Sequence, residues 1–370
     1  MKTELALKLV SDLMQWKDDQ VAATEFLRLG MMIDYKYDHY HGFQPGSRFY
    51  VALIGWLGQF KNLQERQVAY EFLTRKLIFV NQREMHHLVS LLMPIVDRAL
   101  RGDIAGELAI SLYQTWTEKA AIARMKGLLR RTLFIGLSDG ARMDVFRRYN
   151  EEVVSNEQVV AAVEIGPEKW RDLNRNLREA LTKAGENDQA KMHFERFCLI
   201  DDFTGSGSSL IRKKDGAWKG KVQRFVDTYG EFLKDAPGQP WPVQVHHHLA
   251  SAHAAEAITE MLREYQKDEP RFEFFTTFSY RLPADIVVSD TSDPALVSLL
   301  KAYYDDKIED EHTGKGIWYG YKQSGLPLIL DHNTPNNSVA FLWAQSPTDS
   351  LSPTPMKPLF PRRKRHSSHG

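Results

Sequence analysis

Residues 197–210 read FCLIDDFTGSGSSL. Phe197–Ile200 is a short, wholly apolar run bounded by polar residues, the pattern of a buried strand. Two acids, Asp201 and Asp202, close it. In open α/β sheets, ligands gather outside the carboxyl ends of strands. Next come Thr204, Gly205, Ser206, Gly207, Ser208 and Ser209. The glycines let the backbone approach an anion closely, and amide N–H groups with four hydroxyls can then surround it. A following helix would add the positive end of its dipole. These parts suit a phosphate held by the loop, with the paired aspartates reaching a polyhydroxyl group or Mg²⁺. A Gly/Ser-rich turn with two exposed acids is the plainer alternative. The loop lacks the GK[ST] of a Walker A motif and does not satisfy G-x-G-x-x-G.

The pattern on either side of this segment differs. Residues 1–128 show apolar side chains at three- and four-residue spacing, such as Leu53, Trp56, Leu57 and Phe60, then Val68, Phe72, Leu73 and Ile78. That predicts a helical N-terminal region. From 129 to 345 short apolar runs alternate with helical stretches. Strands are expected at Leu133–Leu137, Phe197–Ile200, Val243–His247, Phe272–Phe278 and Leu326–Asp331, with a sixth candidate at Val339–Trp343. Helices are expected at Asp144–Tyr149, Glu168–Lys183 after Pro167, Ser251–Glu264 and Pro294–Tyr304. Such alternation predicts an α/β fold with a mostly parallel sheet covered on both faces. Residues 346–370, rich in Ser and Pro and ending PRRKRHSSHG, are expected to be a disordered tail.

The bulk numbers exclude several classes. Of 370 residues, 43% are hydrophobic and 26% charged, and Lys+Arg equals Asp+Glu at 48 each, so no net field favours nucleic acid or an anionic membrane. The single Cys198 excludes a disulfide within the chain and a Cys-rich zinc site. His246 and His248 would share one strand face, but no acid or cysteine lies at ligand spacing, so core or surface histidines are expected. No run approaches ~18 apolar residues, and the amphipathic start with Glu4 and Asp12 does not read as a signal peptide. A cytoplasmic protein outside the membrane is the expectation, with no direct nucleic-acid binding.

The 197–209 segment resembles the signature of type I phosphoribosyltransferases: four apolar residues, two acids, three variable residues, then [ST]-G-x-[ST]. The match runs without a gap, with Phe203–Thr204–Gly205 as the variable triplet and Ser206–Gly207–Ser208–Ser209 as the close. The resemblance implies that Ser206–Ser209 and the preceding amides hold the 5-phosphate of phosphoribosyl pyrophosphate. It implies that Asp201 and Asp202 contact the ribose hydroxyls, with Mg²⁺ beside them directly or through water. Such a fold also needs a pyrophosphate loop after its first core strand. Ser138–Asp139–Gly140–Ala141–Arg142 stands there, and the guanidinium of Arg142 suits phosphate geometry; a simple turn with Arg142 solvated is equally compatible. Asn333, Asn336 and Asn337, after the apolar run ending at Leu330, are expected on the same rim, although Asn-Thr-Pro-Asn-Asn is also turn chemistry.

A narrower likeness covers residues 1–345. It rests on Trp56–Leu57–Gly58–Gln59–Phe60, FIGLSDGARMDVFRRYN at 134–150, Asn156–Glu157–Gln158, LIDDFTGSGSS at 199–209 and HNTPNNSVAFLW at 332–343. Together these resemble the phosphoribosyltransferase-like proteins of prokaryotic conflict systems. That implies an effector or regulator in antiviral defence with a partner protein, working either as a glycosyltransferase-type enzyme or as a non-catalytic sensor of phosphoribosyl pyrophosphate or a nucleotide. Two departures stand out. Residues 212–220, RKKDGAWKG, interrupt the usual passage from phosphate loop to helix, and no nucleobase hood is recognisable.

Overall fold

A computed structural model describes residues 3–40, 43, 47–188, 191–234, 236, 240–310 and 314–362. The chain forms two units, one of His86–Pro283 and one of Met1–Met85 with Ala284–Gly370. The second unit begins with helices α1 (Thr3–Met14), α2 (Asp19–Tyr35), α3 (Ser47–Leu57) and α4 (Leu63–Arg75). Caps set two of the starts: Asp18 accepts from the Gln20 amide, and Asn62 from the Glu65 amide. Ile78 leaves the expected helical stripe. It begins strand β1 (Ile78–Val80), ahead of α5 (Gln82–Ser90).

The contiguous unit continues with α6 (Leu92–Glu107) and α7 (Lys119–Arg130), then β2 (Thr132–Gly136), α8 (Met143–Tyr149) and β3 (Val159–Val160). Next are α9 (Pro167–Lys183), β4 (Arg196–Thr204), the hairpin β5 (Arg212–Lys214) and β6 (Ala217–Lys219), and α10 (Lys221–Phe232). It ends with β7 (Trp241–Ser251), α11 (Ala252–Asp268) and β8 (Phe272–Leu282). Five strands form one sheet in the order β3-β2-β4-β7-β8, and every pair in it is parallel. The expected mostly parallel α/β sheet is therefore present. Its central strands are apolar on both faces because both are covered. Leu133, Ile135, Phe197, Leu199, Val243 and Val245 pack with residues of α9, α10 and α11. Phe134, Cys198 and Ile200, one position out of phase, pack with residues of α6, α7 and α8.

This order places the crevice. From β2 the chain steps to β3 on one side, then returns to β4 on the other, so the direction of winding reverses between β2 and β4. The two strands stay paired through Gly136 and Ile200, with Leu137 N–H donating to the Ile200 carbonyl at 2.8 Å. Beyond that point β4 runs on against β7 alone, as far as Thr204 opposite Ala250. A gap opens at the carboxyl ends, the position where doubly wound sheets take ligands.

Residues 284–362 complete the other unit with α12 (Pro294–Ala302), β9 (Leu328–Leu330) and α13 (Ala340–Trp343). Here the sequence expectations need correction. The run at Leu326–Asp331 is not the fifth strand of the main sheet; β9 pairs in parallel with β1, Ile78 opposite Leu328. The fifth strand is the two-residue β3. Val339–Trp343 is a turn of helix, not a strand. The boundary drawn at 128/129 falls inside the contiguous unit, because α6 and α7 share a core with β2 and β4. Residues 346–362 are not a loose tail, since Met356, Leu359 and Phe360 are buried and Tyr40 Oη donates to the Pro361 carbonyl. Residues 363–370, with Arg363, Lys364 and Arg365 of the basic run, lie outside the described residues.

Candidate functional site

Asp201 and Asp202 are consecutive on β4 and so point to opposite faces of the sheet. Asp201 lies on the side of α10 and is only 2% exposed. A carboxylate this deep needs partners. It has two: the Ser138 hydroxyl donates to Oδ1, and the Lys221 ammonium ion-pairs with Oδ2. Burial pushes the Asp201 carboxyl up from the ordinary carboxylate range, and Lys221 and Ser138 pull it part of the way back. Asp202, half-buried, lies against Gly140: a Cβ on Gly140 would sit 2.3 Å from Asp202 Oδ2. The 138–142 loop after β2 and the acidic end of β4 thus meet across the crevice, one contact on each face.

The loop from Thr204 to Ile211 is a folded turn. Thr204 Oγ1 accepts from the Gly207 amide at 3.2 Å, and the Leu210 and Ile211 amides donate to the Gly207 carbonyl. Gly207 has φ +75°, and a Cβ there would stand 2.4 Å from Ile258 Cγ2, so both conformation and space require glycine. Gly205 is buried, and its carbonyl accepts from Ser251 Oγ at 2.9 Å, a hydroxyl that also caps α11. Ser206 and Ser208 are half-buried with their hydroxyls 3.3 Å apart, and Ser209 is exposed. The amides of Ser206, Ser208 and Ser209 meet no acceptor among the described residues. Donors and hydroxyls of this kind are what an anion needs. Hairpin β5–β6 then intervenes before α10, as the 212–220 interruption suggested. Gly220, at φ +125°, brings the chain back onto the Leu210 carbonyl, where a Cβ would be 2.4 Å from oxygen.

Opposite the aspartates stands β7, with Asp201 in register with His247. All three of His246, His247 and His248 are buried, and burial depresses each of them, His247 to about 3 and His248 to about 4. His246 bonds Thr277 Oγ1 at 3.0 Å and Ser279 Oγ at 3.1 Å, while His248 Nε2 donates to the Ala141 carbonyl at 3.1 Å. They are core histidines, and His248 braces the 138–142 loop. Arg142, half-buried, starts α8 from the left-handed region at φ 53°. A non-glycine there costs about 1 kcal/mol or more, strain that collects at ligand sites. Asp139 is exposed beside it.

Asn333, Asn336 and Asn337 belong to the other unit. There Asn337 Nδ2 donates to the Tyr321 carbonyl at 3.1 Å and to Ser324 Oγ at 2.9 Å, and the Asn336 carbonyl accepts from the Tyr321 amide. Asn333 exchanges backbone bonds with Leu330. Asn336 and Asn337 brace the 320–325 turn. The residue that sequence reading missed is Lys221. A lysine opening a helix after a glycine carries no signal beyond a solvated cation.

Among the described residues no three His, Cys, Asp or Glu side chains are placed to hold a metal. Both Asp201 oxygens already have protein partners. A Mg²⁺ at this crevice would have to rest mainly on ligand oxygens and water, as this ion prefers, and not on a protein cage.

An all-parallel sheet, a reversal between β2 and β4, and an acidic strand end leading into a Gly/Ser loop define a phosphoribosyltransferase-like α/β protein. The PRTase-CE family model matches residues 53–362, and the chain belongs to that family. No curated protein and no solved structure matches it. No helix among the described residues is long and apolar enough to cross a membrane.

Proposed function

We propose that the chain binds phosphoribosyl pyrophosphate, or a 5-phosphorylated ribonucleotide, together with Mg²⁺, in the crevice between β2 and β4. One observation carries the reading: two loops about 60 residues apart converge there, Ser138 on Asp201 and Gly140 against Asp202. Thr204–Ser209 takes the 5-phosphate through amides and hydroxyls. Asp201 and Asp202 accept from the ribose hydroxyls. Arg142 and the Ser138–Gly140 backbone face the pyrophosphate. Mg²⁺, where bound, would neutralise charge on the phosphates.

As an enzyme the chain would be a glycosyltransferase. The C1–O bond to pyrophosphate breaks and its electron pair leaves on pyrophosphate. A nitrogen lone pair of a base, nucleotide or macromolecule closes on C1, and that nitrogen's proton passes to solvent. Positive charge developing at the ribose is stabilised by the aspartate pair, and charge on the leaving group by Arg142 and loop amides. A non-catalytic sensor is favoured by one feature, the ion pair that already occupies Asp201. Pyrophosphate release assayed with Mg²⁺ separates the two.

The setting we propose is an effector or regulatory subunit of a prokaryotic antiviral defence system, acting with a partner protein. It rests on the sequence likeness, while the family placement supports the phosphoribosyl chemistry. Calorimetric titration of phosphoribosyl pyrophosphate with Mg²⁺ tests the site. Asp201→Asn with Asp202→Asn should weaken binding by roughly tenfold or more. Equal affinity in folded protein would remove the aspartates from the site. In cells carrying the genomic neighbours, phage protection should be lost in the same double variant; retained protection would separate the pocket from the biological role.

A further inference from the structure

Lys221 is held at both ends. Its ammonium pairs with Asp201 Oδ2. Its backbone amide donates to the carbonyl of Ser209, inside the phosphate loop, at 3.2 Å, and the next amide, that of Val222, donates to Leu210 at 3.0 Å. The residue therefore connects the loop that would grip a phosphate to the carboxylate that would read a sugar. Asp201 is fixed from the other direction by Ser138 of the 138–142 loop. Gly220 permits the connection, since only a residue without a Cβ lets α10 start this close to Leu210.

We propose that Lys221 is a positioning residue that aims the Asp201 carboxylate and couples ribose recognition to phosphate binding by the 204–209 loop. The proposal rests on the phosphoribosyl reading above. A carboxylate offers about four lone-pair positions. Ser138 and Lys221 take one each and so orient the plane, leaving the rest directed at a ribose diol. Without Lys221 the carboxylate is held at one oxygen only and can rotate about its terminal bond, which has no sharp rotamer wells. The phosphate loop keeps its own bonds: Thr204 Oγ1 to the Gly207 amide, Gly207 carbonyl to the Leu210 amide, and Ser251 to Gly205 do not involve the lysine side chain. Loss of Lys221 should therefore act on the sugar and leave the phosphate.

The test uses the full chain and two probes, inorganic phosphate and ribose 5-phosphate, titrated calorimetrically into wild type, Lys221→Met and Lys221→Arg. Wild type should prefer ribose 5-phosphate. Lys221→Met should cut affinity for ribose 5-phosphate by roughly tenfold while changing that for phosphate by less than about twofold, and Lys221→Arg should restore part of the preference. Circular dichroism confirms that each variant folds. Should Lys221→Met not fold, Lys221→Arg and Asp201→Asn with Lys221 intact carry the test, both losing preference for the sugar ahead of affinity for phosphate. An unchanged preference in Lys221→Met overturns the proposal. Equal loss for both probes also overturns it, because Lys221 would then contact the phosphate itself. If wild type binds neither probe, the phosphoribosyl reading fails first, and that result is distinct from either of the others.

Discussion

His246 sits in a chain of hydrogen bonds that fixes its tautomer. Ser279 Oγ donates to the Leu88 carbonyl at 2.6 Å, so it accepts from His246 Nε2, and Nδ1 then accepts from Thr277. With His247 and His248 it must stay neutral in the folded chain, and all three are held below their ordinary value of 6.5, chiefly by burial. A base depressed by folding contributes stability that is fully present above its unfolded value and is lost as pH falls towards its folded value. Unfolding free energy should therefore decline from about pH 6.5 to about pH 4, by up to ~1.4 kcal/mol per pH unit for each histidine. Urea titrations at several pH values measure the slope. His248→Asn should flatten it relative to wild type, and an unchanged slope would show that His248 does not contribute. The sequence leaves core and surface positions both open for the triplet. Its face-by-face burial depends on strands on both sides, which no local pattern reports.

Hairpin β5–β6 separates the 204–209 loop from α10 and is pinned on its outer side to α11. Trp218 Nε1 donates to Asp268 at 2.7 Å, the Trp218 ring meets Tyr265 edge-on at 5.1 Å, and Lys213 reaches both the Trp218 ring and Glu264. Lys213 of the 212–220 interruption is thus spent on Trp218 and on Glu264 of α11. Trp218→Ala should cost about 1–2 kcal/mol and raise amide exchange across 205–220, loosening the 204–209 loop from behind. Unchanged exchange there would show that the hairpin does not brace the loop. At this scale the sequence was legible where elements were long: α9, α11 and the runs at β2, β4, β7 and β8 fall close to expectation. It failed where three residues or fewer decide. Val159–Val160 is too short to show a period, and the run around β9 could not reveal that its partner is β1. The loop motif was readable because acids, glycines and hydroxyls are contiguous, whereas Lys221 joins the site only once the hairpin has folded back.

Taken as a whole, the chain contains one unit that is continuous in sequence and one that is not. The continuous unit holds its own sheet with a hydrophobic cluster on each face. Expressed alone from residue 82, which keeps α5 intact, to 283, it should fold cooperatively and show the ligand binding proposed for the full chain. A fragment of 129–283 should not, because it bares the face of Phe134, Cys198 and Ile200. Thermal circular dichroism distinguishes them, and a cooperative melt of 129–283 would refute the assignment of α6 and α7 to this core. In the other unit, Trp56, Phe60, Tyr70 and Phe72 are buried. These aromatics are core; among the described residues the exposed large apolar side chains of α2 are Val21, Leu27, Met31 and Tyr35.

The pairing of β1 with β9 also orders events at the ribosome. Helices α1–α4 and β1 are synthesised early, yet Ile329, Phe341 and Phe360, which complete their core, emerge only after the roughly 250 residues between β1 and β9 have been made, some 12–50 s at about 5–20 residues per second. During that interval the central unit has everything it needs to close, while the amino-terminal helices present uncovered apolar stripes to the cell. A nascent chain stalled once β8 has emerged and before β9 should therefore carry a finished five-stranded sheet and an unfinished helical body, and the helical body is the part that chaperones should hold.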